Sequence, residues 1–585
     1  MPSKESVDLV IEPRWVLPIA PANTVLTDHA VAVTAGRIVA VAPREQINAS
    51  FEPRERVIRD DHALLPGFVN AHTRAATSLL RGLPVYGPRS QWLRETVLPI
   101  ARTCVSPDFV REGTQLAIAE MLRAGITAFA DMYLFPEEAA RAASAARMRA
   151  AIGLPVTDGP TVWAENATGH LAKAEQLWDE YRSHPGISLY FAPHSAFGEG
   201  DQTLARVRRV ADELDARVAI SLASGEMPGG RRPLLRLNDL GLLGPGFTAI
   251  HPGSLDEAEL EVAAATGICV VACQQSHLRL GDRLCPVSQL EARGIPVGLG
   301  TDSAVSVGAL DVLAETRMAA LTSGLGMLGS GGVLMAAALR DGGAAGAGGG
   351  GGGGGGAVAG IATGAAGGAG AGGLRGALAA HGGGVRDGVG TWSEAGFESG
   401  LRGGAAAENG LRNGSAAAEN GWHSGSAGTK NGWHSGSASA ENGWHGGSAG
   451  AKNGLRSAAA AETGLRAFSA SAENGLHTGS ATAQTVLRMA TLGGAMALGM
   501  GTVIGSIEVG KAADLVCFDL STLPCQSPRQ PADAIVFGAT RDHVSDVWIS
   551  GRAAVSKGHL LAFDEQELRA LARRWAERIS TGVTA

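Results

Sequence analysis

The strongest constraint on the fold is a repeated switch from short apolar runs to long helical patterns between about residues 63 and 325. Runs such as Thr127-Ala-Phe-Ala-Asp-Met132, Ser188-Leu-Tyr-Phe-Ala-Pro-His194, Arg217-Val-Ala-Ile-Ser-Leu-Ala223, Phe247-Thr-Ala-Ile-His251, Ile268-Cys-Val-Val-Ala-Cys273 and Pro296-Val-Gly-Leu-Gly-Thr-Asp302 read as buried strands, and helices rich in Ala, Leu, Arg and Glu follow. Repeated strand–helix units imply an α/β fold with a parallel sheet, closed as a barrel or open and doubly wound. In a barrel, polar residues at the carboxyl ends of the strands line the mouth. Here those residues are His72, His194, Ser221, His251 and Asp302.

The two ends of the chain carry a different pattern. Val7–Glu12 and Ala30–Ala42 alternate apolar and polar residues, with Ala35-Gly36-Arg37 as the turn of a hairpin. Similar pairs recur at Gly505–Asp519 and Val544–Val555, and an amphipathic helix is expected from about Glu565 to Ile579. Chain termini often lie close together, so both ends are expected to build one small β-domain.

A biased segment interrupts the barrel region. Glycine makes up 84 of 585 residues, and 48 of those fall between Gly326 and Ala481. The rest of the chain is therefore of ordinary globular composition and large enough for a substantial core. Within the segment, nine consecutive glycines (Gly348–Gly356) give way to a repeat in which Asn-Gly recurs every 11 residues, at Asn409, Asn420, Asn431, Asn442 and Asn453. Asn-Gly breaks helices, and a short unit poor in Leu, Ile and Val cannot build a solenoid core, so a disordered insertion is expected. Its His423, His434 and His445 could at most bind metal weakly, and Trp422, Trp433 and Trp444 read as incidental. The insertion is expected to join two helices, about Asp311–Ser323 and Ala483–Leu498.

Charge and cysteine usage exclude several classes. A net charge of −7 with no basic block argues against a nucleic-acid-binding surface. The six cysteines form no C-x-x-C pair, and the uncharged run from Gly342 to Leu374 is too poor in Leu, Ile and Phe for a membrane span. The opening Met1-Pro-Ser-Lys-Glu-Ser lacks the apolar stretch of a signal peptide, so a cytoplasmic location is expected.

His72, His194, His251 and Asp302 at equivalent strand ends offer two or more imidazoles and a carboxylate, a donor set that suits a hydrolytic zinc site, with His72, His251 and Asp302 as a reduced ligand set. Two of them also have a structural reading: His72 as the cap of a strand end, and His194, after a proline, as a structural histidine.

The motifs Leu65-Pro-Gly-Phe-Val-Asn-Ala-His-Thr73, Trp92-Leu-Arg-Glu95, Ala192-Pro-His-Ser195, Leu240-Gly-Leu-Leu-Gly-Pro245, Gly300-Thr-Asp302 and Gly510-Lys-Ala-Ala-Asp-Leu515 resemble the amidohydrolase superfamily, in the branch of methylthioadenosine/S-adenosylhomocysteine deaminases and triazine-type hydrolases. The resemblance covers about residues 7–325 and 482–580. It implies a (β/α)8 barrel over 63–325, completed by 482–500 after the 326–481 insertion. A composite β-sandwich would come from residues 1–62 and 501–585, the latter with the C-terminal helix. It implies metal-dependent C–N hydrolysis of a small molecule with a ring amine, zinc or another divalent ion as cofactor, His72 and Asp302 as metal ligands, and Asp302 and His251 as catalytic groups. It also places Glu95 and His194 against substrate and suggests a homo-oligomer.

Departures from the pattern shape the functional expectation. The second His of the family's His-x-His pair is Arg74, the third ligand position is Ser221, and the proton-shuttling Glu position is Ser224, with Glu226 two residues on. Ala272-Cys-Gln-Gln-Ser-His277 also departs from the family's His-Cys-Pro-Glu-Ser-Asn. A guanidinium cannot donate a lone pair to a metal; Arg74 could instead occupy the metal position and pair with Asp302. The expectation is a weakened metal site with reduced or lost turnover. The alternative is an inactive relative that acts as a binding or regulatory partner.

Overall fold

The computed structural model describes residues 4–85, 89–222, 232–324, 481–526 and 530–583. The Gly-rich and repeat segment lies outside these residues, as do Ser224 and Glu226.

The N-terminal strands are β1 (Glu5–Val16), β2 (Leu26–Thr27), β3 (His29–Thr34), β4 (Arg37–Pro43) and β5 (Phe51–Pro66). β3 and β4 form the expected hairpin, and both turn residues, Ala35 and Gly36, take positive φ (50° and 76°). The barrel strands follow as β6 (Phe68–Thr73), β7 (Ile126–Asp131), β8 (Arg149–Val156), β9 (Ile187–Pro193), β10 (Arg217–Ser221), β11 (Phe247–Ile250), β12 (Cys269–Ala272) and β13 (Val297–Leu299). The C-terminal strands are β14 (Leu515–Asp519), β15 (Val544–Ile549), β16 (Arg552–Ser556) and β17 (His559–Leu560).

Both chain ends build one nine-stranded sheet, in the order β17-β16-β15-β14-β5-β1-β3-β4, with β2 on β1. The seam is the antiparallel pairing of β14 with β5, Leu515 opposite Pro66 through Asp519 opposite His62. Leu9, Ile11, Val31, Val33, Leu64, Leu515, Cys517 and Trp548 pack into one core, so residues some 500 positions apart in the chain share it.

β6 to β13 are neighbours in chain order and all run parallel, with helices between them. This is a (β/α)8 barrel. The period-2 alternation of a strand buried on both faces is plain on β7. Ala128 and Ala130 join the interior cluster, while Phe129 joins the layer under the helices. β8 was not singled out above; its Ala-Ala-Ile-Gly-Leu-Pro stretch is poor in β-branched residues.

Closure between β13 and β6 rests on few bonds. Thr73 bridges Asp302, the amide of Asp302 donates to the carbonyl of His72 (3.0 Å), and Asn70 exchanges two hydrogen bonds with Thr301 (2.8 and 3.0 Å). Gly300 makes the approach feasible, since a Cβ there would lie 2.8 Å from the Cβ and backbone nitrogen of His72. The Gly-Thr-Asp motif is thus the clasp of the barrel as well as the bearer of Asp302.

The helix Val312–Ser323 ends beside the point where the described chain resumes. The amide of Ala481 donates to Oγ of Ser323 at 2.8 Å. A continuous helical run, Ala483–Ala497, follows. The last helix, Glu565–Val583, buries Leu571, Trp575 and Ile579, one every four residues, and stacks Trp575 edge-on to Phe109. Among the described residues no helix is long and apolar enough to cross a membrane.

Candidate metal centre

His72, His251 and Asp302 meet at the barrel mouth, each from the carboxyl end of a strand. One donor atom from each lies within 4.8 Å of the others, and all three residues are buried. Nε2 of His72 is 3.7 Å from Oδ1 of Asp302, and Nε2 of His251 is 3.7 Å from Oδ2. These gaps are too long for hydrogen bonds. The rings of His72 and His251 stand edge to face, centroids 5.0 Å apart. His251 and Asp302 both hold left-handed backbone conformations (φ 57° and 60°). Such strain in non-glycine residues costs on the order of 1–3 kcal/mol each and collects at functional sites.

The donor set fits a divalent cation. Both ring nitrogens of His72 and Nε2 of His251 are buried without a hydrogen-bond partner. Orphaned buried polar atoms are rare and call for a reason. Imidazole nitrogens facing carboxylate oxygens across 3.7 Å are spaced as two ligands on one ion at about 2.0–2.2 Å from each would be. Burial, reinforced at His72 by His251 and at both rings by Arg74 and Arg89, pulls His72 well below and His251 below the usual histidine range, which favours the neutral ring that can donate a lone pair. Burial alone would raise the pKa of Asp302, but His251, Arg89 and His72 outweigh it and hold the carboxyl well below its ordinary value.

Two guanidinium groups address the same carboxylate. Nε of Arg74 is 3.7 Å from Oδ1, and Nη1 of Arg89 is 3.5 Å from Oδ2. Arg74 thus stands beside Asp302. Arg89 was not anticipated; after Gly87-Pro88 it reads as an ordinary loop residue. It is nearly buried and also holds Asp282 through Nε (2.5 Å) and Ser276 through Nη2 (3.1 Å). Ser276 and Ser306 donate to Oδ2 of Asp302 at 2.7 and 3.2 Å. Oδ2 is therefore well occupied by protein donors, and Oδ1 faces His72 and Arg74.

The other expected positions fall as follows. Ser221 ends β10 and is buried, and its carbonyl accepts from the amide of Ala196 at 3.0 Å. His194 follows β9 and is exposed. Glu95 is exposed on the helical stretch after Arg89 and accepts a hydrogen bond from Gln91 at 3.1 Å. Asp131, at the end of β7, was not singled out. Burial raises its pKa to about 7, and its Oδ1 accepts from the amide of Ala75 at 2.7 Å.

A barrel whose mouth gathers two histidines and an aspartate from its first, sixth and eighth strands matches a known pattern. The amidohydrolase family profile matches residues 63–340 and 381–554, and the chain belongs to that family. Among curated relatives, a 5-methylthioadenosine/S-adenosylhomocysteine deaminase of Teredinibacter turnerae is 37% identical over 328 residues, spanning 55% of this chain and 74% of the relative. One of Nitratidesulfovibrio vulgaris is 34% identical, spanning 54% and 73%. Among solved structures, an adenosine deaminase from Xanthomonas campestris with bound zinc superposes with TM-score 0.71 at 31% identity, covering 99% of this chain and all of that one. A zinc complex of atrazine chlorohydrolase from Arthrobacter aurescens, at 16% identity and TM-score 0.66 over 97% and 99% of the two chains, shares the fold.

Proposed function

We propose that the chain is a hydrolytic deaminase of purine-type ring amines whose metal site is weakened, so that its turnover is slow. The reading is carried by one observation: three buried donors converge with orphaned nitrogens, while two guanidinium groups compete for the same carboxylate. The reaction replaces the ring amino group by oxygen from water and releases ammonia.

His72, His251 and Asp302 would hold a divalent ion, with zinc the first candidate because the Xanthomonas structure holds it. When bound, such an ion supplies a water acidified to near neutrality. Asp302, ionised at neutral pH, accepts the proton of the attacking water. Its Oδ2 is fixed by Ser276, Ser306 and Arg89, which leaves Oδ1 toward the site. With Nε2 turned toward the ion, His251 acts as a ligand rather than as the group that steadies charge on the substrate. His194, solvent-accessible at the mouth, and Glu95 bind the substrate ring and sugar. Arg74 and Ser221, in place of imidazoles, lower metal affinity and with it the rate.

A second reading draws on the same guanidinium groups. With Arg74 and Arg89 as resident cations, Asp302 stays paired without metal, and the chain would bind its ligand without turning it over. One experiment separates the two. Zinc content is measured after mild dialysis, and 5′-methylthioadenosine and adenosine are tested for binding by titration calorimetry and for turnover by the absorbance change of deamination, with and without added zinc. The expected result is well under one equivalent of zinc and slow turnover that rises with added zinc. Binding without turnover at any zinc level selects the second reading. A full equivalent with rapid deamination refutes the weakened site, and no nucleoside binding at all refutes both.

A further inference from the structure

Behind the three donors lies a fourth imidazole. His277 is fully buried on the helix Gln274–Leu280, which follows β12. Its Nε2 is 3.2 Å from Nδ1 of His251, and its own Nδ1 has no hydrogen-bond partner. The preceding residue on the same helix is Ser276, whose hydroxyl donates to Asp302. Successive residues of a helix point about 100° apart, so one turn reaches both the carboxylate and the imidazole. That turn is itself held in place. Buried Glu315 accepts from the backbone amides of Gln274 and Gln275 at the helix start.

A neutral imidazole has one N–H and one lone pair. A contact between two of them therefore needs one to donate, and only two arrangements exist. If His277 donates, the proton of His251 sits on Nε2, facing Asp302, and no lone pair remains there for a cation. If His251 donates from Nδ1, its Nε2 lone pair faces Asp302 and His72. We propose that His277 is a positioning residue of the second kind: it accepts the Nδ1–H of His251 and so aims the Nε2 lone pair of His251 into the donor set. The proposal rests on the reading that His72, His251 and Asp302 hold a divalent ion. Ligating imidazoles commonly donate their other N–H to a fixed acceptor, and loss of that acceptor costs about 10–100-fold in metal affinity.

The test compares wild type with His277→Phe and His277→Gln. Zinc affinity is read by competition with a chromophoric chelator, and the protonated nitrogen of His251 is read by ¹⁵N NMR of the metal-free proteins. Thermal unfolding checks that each variant is folded. His277→Phe is expected to weaken zinc binding by about 10–100-fold. His277→Gln, whose side-chain carbonyl can accept the same N–H, should restore most of it. The metal-free wild type should carry its His251 proton on Nδ1, and His277→Phe should move it to Nε2. Unchanged zinc affinity in folded His277→Phe, or a wild-type proton on Nε2, overturns the proposal. If no form binds zinc, the metal reading fails by itself, and the NMR result still decides whether His251 or His277 donates.

Discussion

Replacing Arg74 by histidine tests the account of the weakened site most directly. Nε of Arg74 lies 3.7 Å from Oδ1 of Asp302. Any cation bonded to that oxygen at about 2.1 Å is therefore within about 6 Å of Nε. A divalent ion and a guanidinium at about 6 Å repel by about 5 kcal/mol at an effective dielectric of ~20. Arg74 is 24% exposed, so water and side-chain relaxation remove part of this. A remainder on the order of 2 kcal/mol corresponds to about thirtyfold in affinity. Arg74→His removes that repulsion and adds a nitrogen donor, so zinc affinity should rise by at least that factor. Adding Ser221→His should raise it further, and deamination should rise in parallel. Zinc affinity by chelator competition, on variants shown by thermal unfolding to be folded, gives the answer. No gain in the folded double variant would mean that these positions are not ligand positions and would refute the reasoning.

Other consequences can be checked separately. Joining Gly324 to Ala481 through a short flexible linker should leave the fold intact, because Ser323 and Ala481 already share a hydrogen bond; loss of soluble, cooperatively unfolding protein would contradict this. Burial raises the pKa of Asp131 to about 7 in the folded state, against about 3.9 unfolded. The folded state therefore holds a proton that the unfolded chain has lost, and the group costs stability as pH rises from about 4 to about 7. Asp131→Asn, which keeps an acceptor for the Ala75 amide, should be more stable than wild type at pH 7 and above in urea titrations, with the difference gone near pH 4. Gly300→Ala puts a methyl 2.8 Å from His72 and should cost about 1–3 kcal/mol in unfolding free energy, with weaker zinc binding where the barrel closes.

Much of the architecture was legible in the chain. Apolar runs ending in polar residues marked β6, β7 and β9–β13, because a strand buried on both faces needs nearly continuous apolar sequence. The hairpin at Ala35-Gly36 and the last helix were legible for similar local reasons. β8 escaped because Ala, Gly and Pro carry little strand preference. In the site, His72, His251 and Asp302 could be singled out as strand-end residues, and the structure brings all three together. Arg89, Ser306 and Asp131 could not be singled out. Each is an ordinary residue type in ordinary surroundings until the fold places it against Asp302 or seals it from water.

The sequence alone determined the class of fold, through its periodicity, and the chemistry on offer, through the residues at the strand ends and the arginine and serine that stand where imidazoles were expected. Only the tertiary structure decided which charges share Asp302, which nitrogens lack partners and which imidazole stands behind His251. Those depend on separations of 3–4 Å between residues that lie up to 230 positions apart. Periodicity along a chain reports which face of an element is buried, but the distance between two side chains is set only when the barrel closes.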